Sequence, residues 1–394
     1  MLNNLKPLPA DKILMLSGLF RADERSTKID LGVGVYKDAS GHTPIMRAVK
    51  KAEKQLWETE DTKTYTSLPG DAGFHKAMAD MVLADSVDRA RLACCATPGG
   101  TGAIHNVLET IKMANPDTTV WVSNPTWGNH LSILKHLGIK FEAYDYFDDD
   151  TCAIDFTGMI ASLQNVQAGD TVLLHGCCHN PTGANLNQTQ WNQVADLLLE
   201  KGATPFIDIA YQGFGDGLDN DAYGTRLLAS KFDEMMIAAS CSKNFGIYRE
   251  RTGIVLAISA DADAAKITQG TLSYMNRQNF SFPPDHGARL VTMVLSDPAL
   301  RADWEAELEE VRSGMLVLRQ LLADALRSET GSDRFGFIAE HRGMFSRLGL
   351  TKDQVLELRD THAIYMVDDS RINIAGLNRK NVPIIAKAVA SVIS

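Results

Sequence analysis

The chain has 394 residues, 45% of them hydrophobic and 22% charged, and a formal net charge of −10. Its length suits roughly two domains of ordinary size, and its acidic balance argues against non-specific contact with nucleic acid or anionic membranes, which draws on clustered lysine and arginine. No apolar run approaches the roughly 20 residues of a membrane span, and residues 1–12 hold Lys6, Pro7, Pro9 and Asp11 where a signal peptide would have its apolar core.

Met46, Val49, Ala52 and Leu56 recur at helical spacing with charges between them. After them, short apolar runs predict strands over 92–96, 120–123, 171–175, 205–209, 235–240 and 253–259. Helical patterns over 101–113, 128–137, 154–163, 190–201 and 222–230 separate these runs. Strand, helix, strand repeated in this way predicts an α/β fold with a mostly parallel sheet covered by helices, and such sheets bind ligands at the carboxyl ends of their strands. The pattern changes near Ser296, where residues 298–328 carry leucines and charges at helical spacing. Strand-like pieces follow over 335–338, 363–367 and 371–374, then a helix to Val392. We read an N-terminal arm that joins part of the smaller domain (1–44), a large sheet domain that carries the ligand-binding strand ends (45–299) and a small α+β C-terminal domain (300–394).

Five strand ends carry chemistry. Residues 97–102, Thr-Pro-Gly-Gly-Thr-Gly, run from a strand into a helix. Glycines there let the backbone approach a phosphate, and the helix N-terminus aims N–H groups at it, although the lysine of a P-loop is missing. At 124–127, Asn-Pro-Thr-Trp, Trp127 offers a ring to stack on a flat aromatic group, with an ordinary core tryptophan as the competing reading, and His130 follows one turn later. At 175–183, His175, Cys177, Cys178 and His179 suggest zinc. Alternate residues of a strand face opposite ways, and structural zinc sites draw on separated ligand pairs, so no metal is expected. Adjacent cysteines such as Cys94–Cys95 and Cys177–Cys178 rarely bridge, so the six cysteines are expected to be reduced and the protein cytoplasmic. Asn180, held extended before Pro181, supplies an amide donor.

At 207–214, Asp208 lies in an apolar strand, where a carboxylate is costly unless a cation pairs with it. A protonated pyridinium nitrogen would be such a partner, with Ala210 beneath the ring and Tyr211 reaching its phenolic oxygen. At 239–246, Ala-Ser-Cys-Ser-Lys-Asn-Phe-Gly, Lys243 follows the buried run 235–239. Burial and neighbouring cations lower an amine's pKa from about 10.4 and make it a nucleophile. Ser240, Ser242 and Arg251 supply what a phosphate needs, hydrogen-bond donors and a fixed positive fork. Each feature alone has a structural explanation; together they match pyridoxal 5′-phosphate.

In order, segments 30–38, 63–65, 98–103, 124–130, 175–183, 208–214, 240–253, 276–287, 342–346 and 371–377 make the chain resemble class I, fold-type I aminotransferases of the aspartate and aromatic amino acid group. The resemblance implies that Lys243 holds pyridoxal phosphate covalently and later shuttles the substrate's α-proton. It implies that Asp208, backed by His130, stabilises the protonated ring nitrogen, and that Tyr211 and Asn180 bond the phenolic oxygen. Gly99, Gly100, Thr101, Ser240, Ser242 and Arg251 would hold the phosphate. Tyr65 would reach the phosphate of a neighbouring subunit, which implies a homodimer with shared sites. Arg371 would clamp the α-carboxylate, helped by Asn180, Trp127 and the backbone of Gly34, and Arg277 of the other subunit would meet a distal carboxylate. The 31–37 stretch lacks the GxGxxG spacing of a dinucleotide site and suits a segment that closes over substrate.

The family couples amino acids to 2-oxo acids with 2-oxoglutarate and glutamate as one pair. In 279–284, Phe282 stands where aspartate-specific relatives usually carry an asparagine before the two prolines, which removes an amide and adds apolar surface. Val35, Lys37, Thr43 and Thr101 keep aspartate-type features. The chain looks closest to bacterial aromatic amino acid aminotransferases, so the expectation is an aromatic amino acid:2-oxoglutarate aminotransferase that also accepts aspartate. Aspartate as main substrate is the alternative; a pyridoxal enzyme of elimination or racemisation, a silent binding protein and a nicotinamide enzyme are the rivals.

Overall fold

Residues 171–175 and 235–240 bury side chains on both faces, a pattern that fits only the interior of a sheet covered on both sides. In the computed structural model, which describes residues 1–7, 11–38 and 40–393, they do lie there. Pro9 of the N-terminal segment falls outside the described residues. The central sheet has seven strands: β1 Leu92–Pro98, β2 Thr119–Asn124, β3 Lys140–Asp145, β4 Thr171–His175, β5 Thr204–Ile209, β6 Met235–Ser240 and β7 Thr252–Ile258. Their order across the sheet is β1-β7-β6-β5-β4-β2-β3.

Strands β2 to β6 pair in parallel, and β7 runs antiparallel between β1 and β6. This places Thr252 opposite Pro98 and Gly253 opposite Ser240, so β7 enters at the edge where β1 and β6 finish. A Cβ on Gly253 would run into the Gly99 carbonyl, and its absence lets the start of the helix Gly99–Ala114 settle against the sheet end. That helix buries Ile104, Val107 and Leu108 against Ala93, Val255 and Ala257 on one face of the sheet. The helix Pro298–Thr330 belongs to the core on the other face.

The apolar runs locate six of the seven strands to within two residues at either end. The exception is β3, a polar edge strand (Lys140, Glu142 and Asp145 are exposed) that has no apolar run to betray it. The helix expected from 154 starts at Phe156, because Asp155 caps it by accepting from Gly158 N (2.8 Å) and Ala153–Ile154 pairs with Phe147–Asp148. The strand expected over 335–338 is absent. Phe335 and Ile338, both buried, are spaced for a helical turn: Ile338 N donates to Phe335 O (3.2 Å) and the helix Phe337–Glu340 follows. The extended piece is instead Phe345–Arg347, antiparallel to Arg371–Asn373. Ile29–Asp30 pairs in parallel with Ile364–Tyr365, tying the N-terminal segment to the C-terminal elements. All six cysteines are buried and unbridged, and among the described residues no helix is long and apolar enough to cross a membrane.

The long helix Pro298–Thr330 starts on Asp297, whose carboxylate accepts from Ala299 N and Leu300 N, and stops at Gly331 with φ +63°. Its buried Trp304 stacks on Phe245 (centroids 4.5 Å apart, planes 4° apart) and donates Nε1–H to Asn244 O at 2.7 Å. The helix thereby clamps the turn that follows Lys243. Trp304→Ala is expected to cost about 3–5 kcal/mol through the cavity it leaves, and Trp304→Phe about 1–2 kcal/mol through the lost hydrogen bond. Urea unfolding midpoints of the two variants check this ranking; equal losses would place the contribution of Trp304 elsewhere.

Candidate active site

The carboxyl ends of β1, β4, β5 and β6 open onto one cavity of about 260 Å³. Lys243 stands in its wall with Nζ 4.9 Å from the centre of the Tyr211 ring. Burial holds its amine below the usual lysine range; Arg251 pushes the same way, and Asp208 opposes both.

Asp208 leaves β5 into the cavity wall with Ala210 and Tyr211. Burial by itself would raise its carboxyl. The hydrogen bond from His130 Nε2 (3.0 Å), helped by the nearby Lys243, more than offsets this, and the group lies below the ordinary carboxylate range. Behind it, Thr126 Oγ1 bridges His130 Nδ1 (2.9 Å) and His175 Nε2 (3.1 Å). Burial lowers His175 to about 3, so that ring is uncharged near neutral pH. Burial also raises the Tyr211 phenol, which therefore stays protonated and able to donate.

A second wall is a cup. Gly100 and Thr101, in the first turn of the helix Gly99–Ala114, face the cavity together with Ser240, Ser242 and Arg251. A Cβ on Gly100 would stand 2.9 Å from Ser240 Cβ, and one on Gly99 would strike the Arg251 guanidinium, so only glycine permits this closeness. Gly99 itself lies behind the lining. Helix N–H groups, two hydroxyls and a guanidinium form a donor set for a phosphate.

Arg371 also lines the cavity, buried, donating Nη2–H to Gly32 O (3.0 Å) and Nη1–H to Asn180 Oδ1 (3.4 Å). Its Nε has no partner among the described residues, and it forms no ion pair there. Burial lowers its pKa, the mark of a cation short of compensation. Phe345 lies under it, ring centre 4.3 Å from Cζ. Gly34 and Trp127 complete the rim, and Trp127 meets His130 edge-on at 5.2 Å.

Two predicted residues stand apart from the cavity. Tyr65 is 84% exposed and stacks on Phe282 at 4.7 Å, and Arg277 lies over the same ring at 5.6 Å while donating to Ser281 Oγ. The structure adds lining residues not singled out from sequence: Ile13, Ile104, Tyr248 and Phe345. Tyr248 and Phe345 fall inside the segments 240–253 and 342–346 that carried the resemblance, which is the signal by which they were findable. The thiols of Cys177 and Cys178 gather with Asp221, not with the histidines, and the Asp221 carboxylate already accepts from the N–H groups of Gly213, Gly215 and Asp216.

A flat ring with a basic nitrogen, a phenolic oxygen and a phosphate fits this donor set, in which an acid, an amine, a phenol and a phosphate cup line one cavity. The sequence is 60% identical over 392 residues, all of both chains, to the aromatic-amino-acid aminotransferase of Paracoccus denitrificans. It is 42% identical over 396 residues, again all of both chains, to the aspartate aminotransferase of Escherichia coli strain K12. The structure superposes on the aromatic-amino-acid aminotransferase of Burkholderia pseudomallei, described as covalently bound to pyridoxal phosphate, with a TM-score of 0.97 and 38% identity over 100% of each chain. Residues 26–389 match the family described as aminotransferase class I and II, and the chain belongs to that family.

Proposed function

We propose that the chain is an aromatic amino acid:2-oxoglutarate aminotransferase that works by ping-pong transamination with pyridoxal 5′-phosphate and also accepts aspartate and glutamate. The observation that carries this reading is a single cavity in which a depressed amine, a hydrogen-bonded acid, a phosphate cup and an unpaired guanidinium converge. The full-length likeness to the Paracoccus enzyme, together with Phe282 beneath Arg277, supports the aromatic preference. The likeness to the E. coli aspartate enzyme, with Val35, Lys37, Thr43 and Thr101 retained, supports aspartate as the alternative main substrate.

Pyridoxal phosphate, when bound, supplies an electron sink for charge that develops at the substrate's α-carbon. Lys243 Nζ would hold the cofactor, and as a free amine it would take the proton from the substrate's α-carbon and return it. Asp208 keeps a proton on the ring nitrogen, and His130 keeps Asp208 ionised. Tyr211 O–H and the Asn180 amide donate to the phenolic oxygen. Gly99, Gly100, Thr101, Ser240, Ser242 and Arg251 hold the phosphate, while Arg371 takes the α-carboxylate beside Gly34, Trp127 and Asn180.

The reading includes a homodimer in which Tyr65 of the partner subunit completes the phosphate site and Arg277 of the partner subunit meets a distal carboxylate. Large exposed rings at Trp57, Tyr65 and Tyr274 support a covering partner. It also includes the division at 44 and 299, supported by the pairing of Ile29–Asp30 with Ile364–Tyr365, and a cytoplasmic location, supported by six unbridged thiols.

With Lys243→Ala, covalent attachment of the cofactor should disappear from the absorption spectrum and turnover should fall by at least about 10⁴-fold; near-normal turnover rejects the role. Lys243 is a free amine only above its lowered pKa, so cofactor attachment to the stripped enzyme should accelerate with pH and then level off. Asp208 holds that pKa up, so Asp208→Asn should start the plateau at lower pH under saturating cofactor, and a move to higher pH contradicts the assignment. Finally, kcat/KM for phenylalanine and tyrosine should match or exceed that for aspartate. An aspartate preference of about a hundredfold over both, near 3 kcal/mol, overturns the aromatic reading.

A further inference from the structure

Arg319 lies two-thirds of the way along the helix Pro298–Thr330 and has no exposed surface. Burying a cation is costly unless anions or aimed dipoles meet it. Among the described residues, Arg319 forms no ion pair. Its fork is met instead by oxygens of one short segment: Nη1 donates to Ile338 O (3.1 Å) and Ser346 Oγ (2.8 Å), and Nη2 to the carbonyls of Arg342 (3.1 Å), Gly343 (2.8 Å) and Phe345 (2.7 Å). Only a planar guanidinium spans acceptors so distributed; an ammonium is a point charge with three donors.

The segment so gathered forms part of the candidate site. The Phe345 carbonyl is held by Arg319, and the Phe345 ring meets three cavity residues. It lies 4.3 Å from Arg371 Cζ, stands edge-on to Tyr211 at 6.2 Å, and would be 2.9 Å from a Cβ on Gly34. Phe345–Arg347 also pairs with Arg371–Asn373, with Arg347 opposite Arg371. On the other side, Arg342 N donates to Gly183 O at 2.8 Å, and a Cβ on Gly183 (φ +78°) would collide with the same Phe345 carbonyl. The turn 180–183 thus docks on the Arg319 cage, and Asn180 of that turn accepts from Arg371.

We propose that Arg319 is a positioning residue for carboxylate recognition: its fork fixes Phe345 and the 180–183 turn, and these two aim Arg371 at the substrate. The inference rests on the reading of Arg371 as the α-carboxylate clamp. A helix-packing role alone would instead lower stability and activity without regard to Arg371.

The test is a double-mutant cycle on the holoenzyme with Arg319→Lys and Arg371→Ala, reading KM and kcat for phenylalanine, binding of 3-phenylpropanoate by calorimetry, and the absorption of bound cofactor. Arg319→Lys should raise KM and the 3-phenylpropanoate Kd by about tenfold, lower kcat by less than about threefold and leave the cofactor spectrum unchanged. In the Arg371→Ala background the same substitution should change kcat/KM by less than about twofold. Wild-type carboxylate binding in Arg319→Lys, or an equal loss in both backgrounds, overturns the inference while leaving Arg371 its role. Unchanged carboxylate binding in Arg371→Ala overturns the clamp reading, and the Arg319 inference falls with it. If Arg319→Lys does not fold, Ser346→Ala removes one acceptor of the fork and should raise the 3-phenylpropanoate Kd by about threefold, through Arg371 only; an unchanged Kd there overturns the inference.

Discussion

Asp208 sits at the inner end of a buried strand, and keeping its carboxylate ionised there is the constraint around which the site is built. Burial alone would protonate it; the His130 hydrogen bond and the neighbouring positive charge of Lys243 reverse that balance. His130 is in turn fixed by Thr126, which also holds His175. One chain of hydrogen bonds therefore runs from the end of β5, through the loop after β2, to the end of β4. Three strand ends are locked in relative position by the same contacts that hold the charge, so acid chemistry and local architecture have a common cause. An acid held this way retains its charge across the neutral range, whereas a lone buried carboxyl would titrate there.

Positive charge is distributed by a different rule. The chain carries a net charge of −10, and its surface cations are mostly paired, as Arg47 is with Asp303 and Glu310. Such exposed pairs are worth about 0–1 kcal/mol each and say little about function. Arg251 and Arg371 form no ion pair among the described residues, although Arg371 is buried. Arg371, with an orphaned Nε and only neutral acceptors, borders the cavity, so an anion that arrives there stabilises it further, whereas the enclosed Arg319, whose Nε is also without a partner, can meet none. The cavity thus carries two guanidinium groups, Arg251 of the cup and Arg371, and the Lys243 amine in one lining. Two such cations in one lining can meet a molecule with two anionic groups or two molecules with one each. An acidic protein with such a pocket excludes polyanions at its surface yet admits small ones, since the two fields act over different distances.

Most of this arrangement was legible in the sequence, because strand ends in a parallel sheet must meet at one edge once the apolar runs are recognised. The residues 97–102, 175–183 and 240–251 announce themselves as polar sequence at the ends of buried runs, Asp208 as a charge inside one, and the structure brings them together. Asp208 and Lys243 were readable for an energetic reason: a charged group beside a fully buried strand demands a partner. Phe345 was not singled out, because a phenylalanine in a short strand looks like core from sequence, and it is core on every side but one. Arg319 was hidden by its helix. Its position among leucines and charges at helical spacing gives no sign that it faces inward, since its acceptors are backbone carbonyls, which every residue has. The strand misread over 335–338 has the same origin, two apolar residues three apart that fit either a twisted strand or a turn of helix. The polar edge strand β3 was missed because an exposed edge needs no apolar side chains.

The residues proposed to distinguish substrates obey yet another constraint. Apart from Gly99 and His130, which stand behind it, and Tyr65, the residues proposed for the shared chemistry line the cavity of a single chain. Tyr65 and Arg277 instead share the Phe282 ring on the surface, away from it. An aromatic stack and an exposed cation–π contact are each worth about 0.5–1.5 kcal/mol. That is enough to order two side chains relative to each other, but it does not compensate for leaving a tyrosine ring 84% in water. The arrangement is therefore economical only if a further surface covers the ring, and a second copy of the chain is the surface the proposed homodimer supplies. Chemistry is then set by one chain's sheet, where substitution disturbs a buried charge. In the proposed reading, side-chain preference lies with the short segment 277–284, where Arg277 is exposed and a residue such as the half-buried Phe282 changes what surrounds a guanidinium without touching the sheet. This separation gives a physical reason why relatives named for aromatic amino acids and for aspartate share one fold at 42% identity or more with this chain.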